Sequence, residues 1–268
     1  MKFSTSIFAI ACLCATFFTA CKNGTSESNA AFAFKTVCRD STVGKARQQL
    51  CYPVFEGSHS AEFMKAVTAL VEGDSIANLR SMPTFGNLFA QYNEDLKSMA
   101  GDEYATEMSY EQMDSVAVVY NEKGLVCLSN QTYSYMGGAH GGSTVSYRIL
   151  EMATGKTLAI KDFFKPNTDA ELLKIAEECF RKQWLPEMEL ATDAPLTEEN
   201  GLWFGGVAME ETDKNKGKFY LAKDAGISAK GFEFVYQQYE IGPYAIGMPT
   251  FTISFDKVKT LLKDEYKF

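Results

Sequence analysis

The chain has 268 residues, 26 basic against 34 acidic, for a formal net charge of −8, and 46% of its residues are hydrophobic. That balance argues against the broad basic surface by which nucleic-acid and anionic-membrane binders displace counterions. The length fits one large domain or two modest ones, with ample apolar content for a core.

The first residues read as an export signal. Lys2 is the only charge before residue 22, an apolar stretch runs from Ile7 to Phe18, and Thr19-Ala20 precedes Cys21. That stretch is short of the roughly 20 residues a bilayer-spanning helix needs, and it suits the core of a cleavable signal. A small residue directly before a cysteine marks a lipoprotein signal, since the peptidase needs a small side chain there and the thiol takes a diacylglycerol. We therefore expect residues 1–20 to be a lipoprotein signal peptide and Cys21 to carry the lipid. An ordinary secretory signal or an uncleaved anchor are the alternatives. Residues 21–31 are polar and aperiodic, a flexible tether. Cleavage would remove Lys2 and no acid, leaving 25 basic against 34 acidic residues and a net charge of −9. The expected location is extracytoplasmic at the cell envelope, in the periplasmic leaflet or at the cell surface.

Of seven cysteines, four remain once Cys12 and Cys14 leave with the signal and Cys21 is acylated. An even number in an oxidising compartment permits disulfides. Cys38 and Cys51 flank a short polar link, each in a segment that reads as strand, and form the candidate disulfide. Cys127, in an apolar strand, and Cys179, in an amphipathic helix, read as buried free thiols.

Phe32–Cys38 and Leu50–Phe55 read as strands joined by a polar, helix-permissive link. Ser60–Val71 is helical by period, with Phe63, Val67, Leu70 and Val71 on one face. Pro83 opens a second helical region carrying Phe85, Leu88, Phe89 and Tyr92. The period then changes to that of strands: Ser115–Tyr120, Leu125–Tyr135, Val145–Met152 and Thr157–Ile160, joined by short turns into an antiparallel meander. A helix from about Asp169 to Trp184 follows, stopped by Pro186, and then an acidic loop from Thr192 to Gly201. Phe219–Lys223, Gly231–Gln238 and Pro249–Phe255 read as strands, and Asp256 is placed to cap a last short helix. The expected class is α+β, with antiparallel sheets and helices packed on them in two adjoining subdomains, 32–165 and 166–268.

Two segments stand out. Tyr133–Ser143 places four glycines around His140 at the end of an aromatic strand, which asks for a tight bend or a close approach. Tyr239-Glu240-Ile241-Gly242-Pro243-Tyr244-Ala245-Ile246-Gly247 is an aromatic, nearly uncharged loop between two strands.

The first segment, with the following Thr-Gly-Lys hairpin and Asp162-Phe163-Phe164, resembles the extracytoplasmic module of the RsiV-like family. That module joins two domains of unknown function, DUF4163 and DUF3298. The Tyr-Glu-Ile-Gly-Pro-Tyr-Ala-x-Gly stretch and the Phe-Thr-Ile-Ser-Phe strand resemble the end of the second domain. The resemblance covers roughly residues 54–262. It implies the fold and a binding role at the envelope, because the best-understood members are anti-sigma factors whose outer module binds lysozyme. Others fuse the module to a peptidoglycan deacetylase. This sequence departs from both, with no sigma-binding or membrane-spanning segment and no deacetylase-type Asp/His metal spacing.

On this reading Tyr135, Gly137, Gly138, His140, Gly141, Tyr239 and Tyr244 are the candidate binding residues. His140 has one other histidine beyond the signal, His59, and no second ligand at metal spacing, so we expect no metal, no cofactor and no catalysis. His140-Gly141-Gly142 is similar to an oxyanion-hole segment, but G-x-S-x-G is absent. Gly155-Lys156-Thr157 lacks the earlier P-loop glycine, Leu150 standing in its place. The expected function is a lipid-anchored binding or sensing module whose partner is a lysozyme-like protein or a cell-wall glycan, with no nucleic acid and with the membrane met only through Cys21. A hydrolase of peptidoglycan fragments centred on His140, and a structural lipoprotein without ligand, are the alternatives.

Overall fold

A computed structural model describes residues 31–72, 87–204, 217–266 and 268. The expected signal peptide, Cys21 and the tether up to residue 30 lie outside the described residues, as do Pro83 and Phe85. Among the described residues two sheets form, six strands in the order β1 to β6 and three in the order β7 to β9, with four α-helices, which makes the α+β class.

β1 (Phe34–Val43) and β2 (Ala46–Phe55) are one continuous hairpin, paired from Phe34 with Phe55 to Val43 with Ala46. The polar link expected between them is strand on both sides of a two-residue turn, Gly44–Lys45. Its polarity has a physical cause: β1 is mostly exposed, so cross-strand contacts there are polar, with Arg47 Nη2 2.7 Å from Asp40 Oδ2 and Gln49 also reaching that carboxylate. Gly44, at φ +59°, makes the tight turn. Cys38 and Cys51 face each other in the register and are joined by a disulfide.

Helices α1 (Ala61–Glu72) and α2 (Asn87–Ser98) lie between β2 and β3 (Tyr110–Glu122) in the chain. This long connection lets β2 and β3 run parallel, a departure from the all-antiparallel expectation. β3, β4 (Leu125–Met136), β5 (Gly142–Glu151) and the short β6 (Thr157–Leu158) form the antiparallel meander.

The sheet is covered on both faces, and strand alternation assigns the residues. Val126, Leu128 and Leu150 face α1 with Phe55, Phe63 and Val67, whereas Leu125, Cys127 and Ile149 face the C-terminal part. A register shift between Val118 and Tyr120 changes the phase of β3, so Val116 packs under α1 while Tyr120 joins the opposite core. The second core gathers α3 (Asp169–Trp184), β7 (Asp224–Ser228), β8 (Gly231–Val235), β9 (Thr250–Ile253) and α4 (Phe255–Val258).

Two further expectations move. The strand foreseen at Phe219–Lys223 lies at β7 instead. Phe219 is held as an irregular anchor against Phe180, Phe204 and Tyr236, and the Tyr220 carbonyl accepts the Tyr236 hydroxyl at 2.5 Å. Ser254, not Asp256, occupies the N-cap position of α4, and Asp256 sits in its first turn.

Towards α2 the covered face of the sheet turns polar. Gln48 donates to Gln112 at 3.2 Å, Gln112 donates to Asp114 at 2.8 Å, and the Thr132 and Thr144 hydroxyls meet at 2.7 Å. Burial pushes the Asp114 carboxyl up to about 6, the Gln112 hydrogen bond opposing it. A carboxyl whose folded value lies above its unfolded one costs stability once it ionises. The cost is absent below about pH 4 and complete above about pH 6. Asp114→Asn keeps the acceptor for Gln112 and removes the charge. It should raise stability at pH 8 by about 1–2 kcal/mol, a figure reduced for partial solvent screening, and change little at pH 4. Thermal melts at the two pH values check this; an equal effect at both would rule out the ionisation account.

Candidate functional site

The site forms where the β4–β5 turn meets the loop between β8 and β9. Gly137 and Gly138 take φ values of +84° and +91°, which L-residues rarely adopt, and a Cβ on either would meet no atom within 4 Å. They make a bare backbone bulge. Gly141 is glycine for another reason: its Cβ would lie 2.5 Å from the Tyr133 ring.

His140 stands on this turn, and its ring lies 3.8 Å from the Tyr244 ring, centroid to centroid, at 21°. Its Nδ1 is 3.0 Å from the Gly141 carbonyl, and its Nε2 is 3.2 Å from the Tyr239 hydroxyl. A carbonyl only accepts, so neutral His140 carries its proton on Nδ1 and accepts at Nε2 from Tyr239. The Tyr244 hydroxyl donates to the same Gly141 carbonyl at 3.0 Å. Among the described residues no carboxylate hydrogen-bonds to the His140 ring.

The opposite loop is fixed by side chains acting as a strand. β6 pairs with β5 only at Ile149 and Leu150, which leaves the outer edge of β5 open further up. There Gln238 Oε1 accepts from the Ser143 N–H at 2.8 Å, and Gln237 bonds both backbone groups of Val145. Gln237 Nε2 also donates to Asp224, and Glu240 accepts from the Gln237 N–H. The Trp203 indole N–H donates to the Tyr239 carbonyl at 3.3 Å. Held this way, Tyr239 adopts φ +65°, unusual for an aromatic residue, and its side chain remains exposed at 52%.

The seven candidate residues therefore divide. His140, Gly141, Tyr239 and Tyr244 are in mutual contact, although Tyr239 and Tyr244 are about a hundred residues from His140 in the chain. Tyr135, Gly137 and Gly138 lie on the other flank of the same turn, with the Tyr135 hydroxyl donating to the Gly138 carbonyl at 3.1 Å. That flank is one wall of an open groove of about 480 Å³ whose other wall comes from α2 and the 3₁₀ turn Glu103–Thr106. Asp95, Tyr104 and Tyr110 line it and were not foreseen; the signal available was an exposed-type tyrosine inside the polar run Asp102–Glu107.

The fold and site thus define a two-subdomain α+β protein in which a glycine-rich turn of the larger sheet meets an aromatic loop of the smaller one. Residues 161–256 match the family described as protein of unknown function (DUF3298), and residues 45–143 match the family described as deacetylase PdaC. A DUF3298-family protein from Pseudomonas aeruginosa PAO1 is similar in structure, with a TM-score of 0.59 at 16% identity over 88% of this chain and 97% of that one. A DUF3298-family member from Bacteroides fragilis NCTC 9343 has a TM-score of 0.58 at 18% identity over 89% and 96%. At these identities the likeness is one of fold. The comparison with curated proteins finds no match.

Proposed function

We propose that the protein is a lipid-anchored binding or sensing module of the cell envelope, and that the joined surface of His140, Tyr239 and Tyr244 is where it meets its partner. The observation that carries this is Tyr239, an aromatic residue in a left-handed conformation, exposed, and braced from both subdomains. Local strain held in place by surrounding bonds marks functional positions, and rigid tyrosines give contact area at low entropic cost.

The anchor geometry supports it. Asn121 clamps the start of the described chain, accepting from the Phe32 N–H at 2.9 Å and donating to its carbonyl at 2.8 Å. Asn121 pairs near the Leu125 end of β4, and the site lies beyond Met136 at the other end. Twelve residues of strand put roughly 37 Å between them. With a lipid on Cys21 the tether would enter at the end of the sheet opposite the site, which leaves the site free to meet wall polymer and extracytoplasmic proteins.

The resemblance to RsiV-like outer modules supplies the partner class, a cationic lysozyme-like protein, and the acidic charge suits it. A wall glycan is the other candidate. Residues 45–143 match the family described as deacetylase PdaC, and no deacetylase reaction is assigned to them. His140 packs with tyrosines and His59 with Phe32, Phe55 and Phe63, so the two histidines stand in separate settings. Calorimetric titration of lysozyme into residues 22–268 should give saturable heat at low salt, weaker but still saturable at physiological salt, where steering is screened. Absence of heat at both would remove the lysozyme-like partner.

A further inference from the structure

We propose that the groove between α2, the 3₁₀ turn Glu103–Thr106 and the Met136–Gly138 backbone binds an amino-sugar oligomer, with a pyranose face on Tyr104 and a free ammonium against Asp95. The proposal rests on the envelope reading only for where such a glycan would be met; the groove is separate from the His140 surface.

Four features carry it. The groove is open and holds about 480 Å³, within the range of small-ligand sites, about 300–1,000 Å³. Tyr104 is 77% exposed while its backbone is fixed on both sides. Its N–H donates to Asp102 at 2.9 Å, and its carbonyl accepts from Glu107 and Met108. A large exposed ring on a fixed backbone offers a platform for stacking.

Asp95 supplies the charge. It is held by neutral donors, the Tyr110 hydroxyl at 2.5 Å and the Gln91 amide at 3.0 Å, and these keep its carboxyl below the usual range. It is therefore anionic at neutral pH, and among the described residues no basic side chain pairs with it. Glu107, at the same groove, meets Lys45 only at 3.7 Å across exposed side chains, a weak pair. On the far wall Gly137 and Gly138 leave their Cβ positions open, so a ligand can approach bare backbone.

A lysine from a basic protein would answer Asp95 and cover little of the Tyr104 face, whereas an arginine can both pair and stack; a basic peptide is therefore the competing occupant. A neutral sugar would cover Tyr104 and leave the carboxylate without a counter-charge. A sugar ring bearing a free amine does both.

The test is calorimetry on the full-length protein in detergent with three probes: β-1,4-linked tetraglucosamine, its fully N-acetylated counterpart and tetralysine, at mildly acidic pH. Tetraglucosamine should bind saturably. Tyr104→Ala and Asp95→Asn should each weaken it about tenfold. Tyr104 is exposed enough that its removal should leave the melting temperature unchanged. The N-acetylated probe should bind at least about tenfold more weakly than the amine. Equal affinity for the N-acetylated probe, equal affinity for tetralysine with the same dependence on Tyr104, or no binding of tetraglucosamine would each overturn the proposal. Lysozyme titrated into the same Tyr104→Ala sample separates the two sites. Lysozyme binding lost from wild type, with tetraglucosamine binding intact, would sink the His140 reading alone.

Discussion

Phe180→Ala should cost about 4 kcal/mol and lower the melting temperature by roughly 12 °C. Phe180 is fully buried at the centre of the C-terminal core, with Phe204, Phe219, Tyr236 and Phe251 around it at ring separations of 5.4 to 5.8 Å. Three of those four contacts are edge-on, a favourable geometry beyond simple burial. Truncation removes the apolar area and leaves a cavity that several stiff rings cannot collapse to fill. A denaturant melt with an unchanged slope and a large midpoint shift is the expected result. A loss below about 1 kcal/mol would mean that this core is not packed as described. The effect would reach the site, because Tyr236 immediately precedes Gln237, which holds Val145.

Gly155→Ala should be nearly as severe, at about 3 kcal/mol or more, combining left-handed strain with overpacking. Gly155 has φ +74°, and a Cβ there would lie 2.2 Å from the Phe63 backbone nitrogen and 2.6 Å from the Glu62 carbonyl carbon. Both obstacles are backbone at the start of α1, so no side chain can swing aside and the helix itself must shift. Gly137→Ala is the control. Its φ is +84° but its Cβ position is open, so only the conformational cost of about 1–2 kcal/mol applies. Equal losses at the two positions would show that the contact of the β5–β6 turn with α1 is not what constrains Gly155.

Most of the fold is legible in the sequence because most elements bury one face and expose the other. α3 shows its period through Leu172, Ile175 and Cys179, and its helix ends at Trp184 before Pro186. β4 reads as a buried strand from the unbroken Leu125–Leu128 run, which supplies two cores at once. β7 does not read as a strand, since Asp224-Ala225-Gly226 has poor strand propensity. Gly226 is there because its Cβ would lie 2.4 Å from the Tyr147 ring, a demand set by a residue nearly eighty positions away. The neighbouring Phe219–Lys223 has the better strand composition, yet Phe219 serves as a plug between α3 and β9. The parallel pairing of β2 with β3 is likewise a matter of topology that neither strand's own pattern records.

The site divides in the same way. Four glycines around His140 and the aromatic Tyr239–Gly247 loop are visible as anomalies, and each is explained locally by a turn. That they meet is not visible, because the link runs through Gln237 and Gln238, two polar residues with no periodicity to mark them. The groove is hidden for a related reason. Tyr104 sits in a polar run where nothing indicates a fixed backbone, and Asp95 gains its meaning only from the Tyr110 hydroxyl fifteen residues on.

Tyr239→Ala separates recognition of an envelope partner by the exposed Tyr239 and His140 surface from binding elsewhere on the molecule. The Trp203 contact is to the Tyr239 carbonyl, and the Gln237 and Gln238 bonds do not involve the Tyr239 ring, so the loop should keep its shape. Lysozyme titrated calorimetrically into wild type, Tyr239→Ala and His140→Ala at physiological salt should show saturable binding to the first. Each variant should weaken it by at least about tenfold, with melting temperatures within a few degrees of wild type. Binding of equal strength to all three proteins would contradict the account, because it would place the contact elsewhere on the molecule.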